Sequence, residues 1–413
     1  MIRQALIFLV VAILCGSAQG AEKEADAERM GDAVSWLESE AHRIIRASKR
    51  EMQDGTSAFP PQVGIHYDAF WLRDYEYTLE GSISSYSDDE LLDAARLFVT
   101  NLSSDGAGVD CIKFDGTPIY KPGYGRMGKN PVADGSQFTV SVAWHTYHRT
   151  RNEEFLGEVL PPLITAMNAV PRNPETGLVH IDPDQGWDRC PYGFTDTIRK
   201  QGDVLFCSLL YVQACRQVSD LLSAGGWKDE SKRWQKEAVR VTASIQKIFW
   251  EKEKGLFRAA TVKCREHDIW GSAFAVFLGV TTPDQSRTIA RYFEAHYDQI
   301  VQHGQVRHLP GGVYWEQGCG RNQYQNGAYW ATPVGWFVYT LDLVDPRLAD
   351  QTILDMVNHF KKYGACEWII GERWQLPNYL VSVALPLDGI RAMLERRQKT
   401  SQHKAPNRLF VFQ

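Results

Sequence analysis

The sequence predicts an all-α protein, an (α/α)6 toroid in which six helical hairpins close into one ring, and three observations predict it. Twelve helical segments succeed one another with almost no strand pattern between them. They alternate strictly between charged amphipathic stretches and nearly uncharged ones. The links into the uncharged segments are long, whereas most links back to the charged ones are short. A helix with one polar face suits an outer ring, and a helix without one must be surrounded by protein. A less regular helical solenoid is the alternative, but no fixed 34- or 40-residue repeat is visible.

Taken in order, the chain opens with MIRQALIFLVVAILCGSAQG: a positive start at Arg3, an apolar run from Ala5 to Cys15 and a small-residue exit. That is the pattern of a Sec-type signal peptide, residues 1–20, cut after Gly20, and the run is too short for a comfortable membrane span. The expectation is export to a periplasm or out of the cell, with no membrane segment after cleavage. A single domain is expected over residues 21–398, with a tail over 399–413. The charged segments run over about 25–49, 88–102, 153–170, 228–250, 283–300 and 346–363. The uncharged ones run over about 67–82, 135–149, 203–222, 268–279, 326–343 and 377–391.

Composition narrows the function. Hydrophobic residues at 44% with 13 Trp, 17 Tyr and 18 Phe supply a large core, and 23% charged residues is ordinary. The formal charge of −5, or −6 without Arg3, comes with no Lys/Arg block, so neither nucleic acid nor an anionic membrane is expected as a partner. Seven cysteines remain after Cys15 is removed, at irregular spacing, which is not a disulfide framework. No CxxC pair or HExxH occurs, and His267 and His308 stand singly; no metal site and no cofactor are expected.

The six long loops all precede uncharged helices, so a toroid gathers them at one end. They read HYDAFWLRDYEY, KNPVADGSQF, DQGWDRCPYGFTDTIRKQGD, KCREHDIWG, LPGGVYWEQGCGRNQYQNGAYW and GACEWIIGERWQLPNY. Aromatic faces beside Arg and carboxylate groups suit sugars, whose C–H faces stack while their hydroxyls need many hydrogen bonds. A carbohydrate is therefore the expected partner. In the third loop, Trp187 and Asp188 precede a segment too apolar to face water, and a carboxylic acid in such surroundings tends to stay protonated, as a general acid must. Asp188 is the first candidate for that acid; capping a helix or pairing with Arg189 or Arg199 is the structural alternative. Arg73 and Asp74, flanked by Trp71 and Tyr75, are either a sugar clamp or an ion pair. Asp134 and Gln137 are candidate hydroxyl ligands, Asp134 equally a helix N-cap. Trp315 and Glu316 follow a Gly-Gly pair in a loop able to close over substrate.

These stretches resemble the six-hairpin glycosidases, especially the inverting trehalases, processing α-glucosidases and glucoamylases. GWD followed by GDVLFCSLLYVQA resembles their general-acid motif, which implies Asp188 as the acid. AFWLRDYEY resembles the early aromatic/Trp-Asp substrate motif, NPVADGSQF the loop of Arg-Pro-Gln-x-Asp-Gly type, and QNGAYWATPVGW the Asn-Gly-x-x-x-Pro loop that opens another inner helix. The resemblance implies sugar contacts from Trp71, Arg73, Asp74, Asp134, Gln137, Trp187, Trp315, Asn326 and Trp330. It places the base in the last long loop, where Glu367 fits better than Glu372; Glu316 is a third choice, and Glu372 is equally a partner of Arg373. The trehalase pattern has Glu before Lys-Tyr where this chain has Lys361-Lys362-Tyr363, which departs from trehalose as substrate. The implied activity is exo-acting, inverting hydrolysis of an α-glycoside of glucose or a related sugar. A toroid that binds carbohydrate without cleaving it is one alternative. A polysaccharide lyase or sugar epimerase, which needs a Tyr or His base, is another.

Overall fold

The computed structural model describes residues 27–185 and 189–404. The signal peptide expected over 1–20, the end of the tail, and both Trp187 and Asp188 lie outside the described residues. No helix among the described residues is long and apolar enough to cross a membrane.

The helices are α1 (27–48), α2 (Leu72–Ser82), α3 (Asp88–Thr100), α4 (Gly135–Thr150), α5 (Glu153–Ala169), α6 (Leu205–Ala224), α7 (Lys228–Ile248), α8 (Ile269–Phe277), α9 (Pro283–Ala295), the single turn α10 (Tyr297–Ile300), α11 (Val334–Leu341), α12 (Pro346–Tyr363) and α13 (Leu380–Lys404). Helices α2, α4, α6, α8, α11 and α13 each pack on the next, and α13 returns to α2, so the inner ring closes. The others lie outside it, joined by the contacts of α3 with α4, α5 with α6, α6 with α7, α9 with α11 and α11 with α12. This is the (α/α)6 architecture.

Helix chemistry separates the two rings. Outer helix α7 buries Ser231, Trp234, Ala238, Val241 and Ile245, a single stripe at three- and four-residue spacing. Inner helix α6 buries fifteen of its twenty residues. Burying a Leu or Val side chain contributes about 1.5–3 kcal/mol, so the inner ring supplies most of the core. Outer helices also have strong local starts. Ser87 and Glu90 form a capping box on α3, Thr282 and Gln285 another on α9 ahead of Pro283, and Asp345 accepts from the backbone of Arg347 and Leu348 ahead of Pro346 on α12. Close approach of two inner helices depends on glycine. A Cβ at Gly389 of α13 would stand 2.2 Å from the carbonyl carbon of Gly335 on α11.

Two features depart from the expectations. The loops form short antiparallel strands: Ala69–Trp71 with Cys111–Lys113 and Pro118–Ile119, and a five-stranded sheet of Val301–Gln302, Gln305–Arg307, Tyr329–Trp330, Trp368–Ile370 and Arg373–Gln375. Residues 67–71, 326–333 and 377–379, expected to be helical, are site loop instead, because their aromatic and polar side chains serve contacts across the ring. Helix α13 also runs to Lys404, into the segment 399–413 expected as a tail. The seven cysteines among the described residues are all free thiols.

Candidate active site

The N-terminal ends of the inner helices meet the long loops at one end of the ring, and three carboxylates converge there. Glu367 is 3% exposed and immediately precedes the strand Trp368–Ile370. Its backbone N–H donates to Gln375 O at 2.9 Å, and the pairing of Trp368 with Trp330 holds this strand beside the loop that carries Tyr324. Two phenols donate to one oxygen of Glu367: Tyr67 to Oε1 at 3.2 Å and Tyr324 to the same Oε1 at 3.4 Å. Burial, then the neighbouring Asp74, and further Asp196, push Glu367 up to about 8, against the phenol donors that favour its charge.

Asp196 follows the 3-10 turn Gly193–Thr195 and is half-buried. The side chain of Gln325 fixes it from across the ring. Its Nε2 donates to Asp196 Oδ1 at 2.8 Å, while its Oε1 accepts from Thr197 N at 2.9 Å and Thr197 Oγ1 at 2.7 Å. Burial pushes Asp196 up to about 7, opposed by the Gln325 donor and by Arg73. Asp74, on the first turn of α2, accepts from Tyr379 OH. Burial raises it to about 6, opposed by that bond and by Arg73. The rings of Tyr67 and Tyr379 lie 6.3 Å apart, and Tyr67 meets Trp71 edge-on at 6.0 Å. A continuous wall therefore runs from Asp74 through Tyr379 and Tyr67 to Glu367 and Tyr324.

Arg73 stands behind this wall and supports it. It is buried, with Nη1 2.8 Å from Asp110 Oδ1 and Nε 3.2 Å from Asp134 Oδ2. Asp134 also accepts from Gly193 N at 2.9 Å, so one guanidinium ties α2, α4 and the Asp196 turn together. Gly193 is required there, because a Cβ would lie 1.9 Å from Arg73 Nε. Asp134 occupies the N-cap position of α4 without capping it through its side chain.

The remaining expected site residues are placed as follows. Trp71 is half-buried in the wall, its Nε1 without a partner among the described residues. Gln137, on the first turn of α4, donates from Nε2 to Ala133 O at 2.8 Å, just ahead of the helix. Asn326 braces its own loop, accepting from Trp315 N and donating to Cys319 O, both at 2.8 Å. Trp315 is buried in a small cluster with Ile198, Ala259, Cys264 and Leu309. Trp330 is fully buried, 5.2 Å from the Tyr324 ring. Glu372 is exposed at the turn between the last two strands, and Glu316 is exposed while accepting from Cys264 N at 3.1 Å. Neither shares the cluster's hydrogen bonds. His267 pairs with Glu251 at 2.7 Å, and His308 is stacked on Trp270 with centroids 3.6 Å apart.

The sequence places Asp196 with Asp188 in the loop at the mouth of a buried helix without marking it as the acid, and it gives no sign of Gln325, Tyr67, Tyr324 or Tyr379. Asp196 lies eight residues beyond Asp188 in the same loop, and its only signal was an acidic residue in an otherwise uncharged run, CPYGFTDT.

The family described as the bacterial alpha-L-rhamnosidase six-hairpin glycosidase domain matches residues 110–307. No curated protein sequence matches the chain. Among solved structures, a mannosylglycerate hydrolase of glycoside hydrolase family 63 from Thermus thermophilus, in complex with glucose, aligns with TM-score 0.62 at 16% identity over 85% of this chain and 99% of that one. A rhamnosidase from Klebsiella oxytoca with rhamnose bound aligns with TM-score 0.63 at 15% identity, over 88% of this chain and 64% of that one. A family 78 rhamnosidase of Bacillus sp. GL1 aligns with TM-score 0.57 at 13% identity, over 87% and 34%.

Proposed function

We propose that the chain is an exported six-hairpin glycoside hydrolase that removes a terminal sugar from an α-glycoside with inversion, Asp196 acting as general acid and Glu367 as general base. The observation that carries this reading is the pairing of two differently furnished carboxylates from opposite sides of the ring. Glu367 receives both phenols on Oε1, donors that oppose its rise to about 8, and Oε2 is left to take a proton from water once the group is ionised. Asp196 and Glu367, raised to about 7 and about 8, disfavour each other's charge and titrate together, so the assignment of acid and base rests on their positions in the ring and not on the order of those values.

In the proposed reaction Asp196 protonates the glycosidic oxygen as its bond to the anomeric carbon breaks. Water, losing its proton to Glu367, attacks that carbon from the other face. The two carboxylates then exchange protons with solvent to reset. A water between base and sugar calls for carboxyl groups about 6.5–9.5 Å apart, against about 5–5.5 Å for a retaining pair. Asp74 accepts a sugar hydroxyl, and Trp71 with Tyr67 offers aromatic faces to the ring. Tyr67, Tyr324 and Tyr379 are each held well above the ordinary phenol range by burial and nearby carboxylates, which speaks against the lyase or epimerase alternative, since a phenol there is a poor base. The sugar is glucose or a relative of it, and the names of two structural neighbours add mannosides and rhamnosides to that group.

The test is a panel of α-glucosides, α-mannosides and α-rhamnosides, followed by proton NMR of the first product. Release of a β-configured sugar from one of them supports the proposal. Release of the α-anomer overturns inversion, and no release from any member of a broad panel overturns hydrolysis.

A further inference from the structure

The opposite end of the inner ring holds a second polar cluster. Glu76 and Glu80 stand one turn apart on α2, His145 lies on α4, Gln213 and Gln217 on α6, and Asp388 on α13. They surround a cavity of about 280 Å³ whose lining includes Glu80, His145, Gln217 and Asp388. Gln213 Nε2 donates to Glu80 Oε1 at 3.0 Å. Ser141 donates to Glu76 Oε1 and accepts from Gln217 Nε2 at 2.9 Å. Glu76 Oε2, His145 Nε2 and Gln217 Oε1 are buried and have no hydrogen-bond partner among the described residues. Glu76 itself is 1% exposed.

Of the cationic side chains nearby, Arg216 also lines the cavity and Arg391 acts on Asp388, and both are held by backbone carbonyls. Arg216 donates to Leu278 O at 2.7 Å, and Arg391, which faces Asp388, donates to Gly81 O at 2.6 Å and Glu38 Oε1 at 2.7 Å. The C-terminal ends of the inner helices point to this side and add partial negative charge. An unpaired carboxylate in such a place is costly, and a cation offsets that cost. One ligand atom each from Glu76, Glu80 and His145 lie within 4.8 Å of one another. Ligands at about 2.0–2.2 Å from one ion stand no more than about 4.4 Å apart, so a small rotamer adjustment closes the set. His145 Nε2 lies 3.8 Å from Glu76 Oε1, beyond a hydrogen bond and within the span of a shared ion.

We propose that this end of the ring binds one divalent cation of the Zn²⁺ or Mn²⁺ class, ligated by Glu76, Glu80 and His145, with Asp388 and Gln217 beside it. Imidazole nitrogen with carboxylate oxygen selects a borderline ion over Ca²⁺ or Mg²⁺, which prefer oxygen alone. The site is independent of the catalytic carboxylates and clasps α2 to α4. No sequence motif marks it, because its ligands come from two helices far apart in the chain.

The test uses the full chain stripped with a chelator and dialysed. Calorimetric titration with ZnCl₂ or MnCl₂ alone is expected to show one equivalent bound, with a rise of a few degrees in Tm at saturation. CaCl₂ and MgCl₂ are expected to bind far more weakly. Glu80→Gln and His145→Leu are each expected to lose at least about tenfold in affinity. Visible absorption of bound Co²⁺ in the wild-type chain gives a second reading, should a variant fail to fold. Absence of binding by Zn²⁺, Mn²⁺ and Co²⁺ at millimolar concentration, which leaves the carboxylates sharing a proton, overturns the proposal. So does binding that both variants leave unchanged.

Discussion

Replacing Glu367 by Gln should abolish turnover and, at alkaline pH, make the protein more stable. Glu367 is raised from the ordinary 4.5 to about 8, chiefly by burial, so between those two values the native state keeps a proton that the unfolded chain has released. Unfolding then releases a proton, and stability falls as pH rises through that window. At about 1.4 kcal/mol per pH unit the full rise corresponds to roughly 5 kcal/mol. Asp74 and Asp196 cause part of it by repulsion, and they share that part among themselves, so about 2–4 kcal/mol is a fair expectation for one substitution. Gln keeps the size of the side chain and an oxygen for Tyr67 and Tyr324, but does not ionise. Urea unfolding at pH 5.0 and pH 8.5 should therefore show the variant near or below wild type at the lower pH and above it at the higher. A difference between the two proteins that does not change with pH would refute the reasoning.

Two further predictions follow from the same wall. Arg73→Lys cannot span Asp110 and Asp134 together and leaves buried carboxylate charge uncompensated; a loss of about 3–5 kcal/mol in unfolding free energy is expected, and an unchanged midpoint in urea would show that the pair is not structural. Tyr324→Phe removes one of the two donors that favour ionised Glu367, so the acid-side limb of the pH–rate profile should move upward by about one pH unit, the equivalent of one hydrogen bond to a charged group, with folding little affected; a limb that stays in place would separate Tyr324 from the base.

Most of the scaffold was legible because it rests on local signals. The span 346–363 of α12 is set by Asp345 and Pro346 at one end and by Gly364, with φ of 84°, at the other, all visible in the sequence. The charged stripe of α7 and the apolar circumference of α6 likewise distinguish outer from inner ring without reference to contacts. The short strands were not legible, since two or three residues hold no periodicity. Glu367 was singled out from its loop. Asp196 was not, because what marks it is its bond to Gln325, 129 residues away. Arg73 read as either a sugar clamp or a structural ion pair with its neighbour Asp74; the ion-pair partners it has, Asp110 and Asp134, are 37 and 61 positions distant and reach it only once the ring closes.

The assignment of Asp196 as acid is tested most directly by the dependence of rate on the leaving group. Once the panel has identified a cleavable sugar, Asp196→Asn and Asp188→Asn are compared with wild type on that sugar joined to another sugar and joined to a nitrophenyl group. A poor leaving group needs a proton and a nitrophenolate does not, so Asp196→Asn should lose about 10²–10⁴-fold on the first substrate and far less on the second. The same pattern in Asp188→Asn, with Asp196→Asn cleaving both substrates at wild-type rates, would contradict the account.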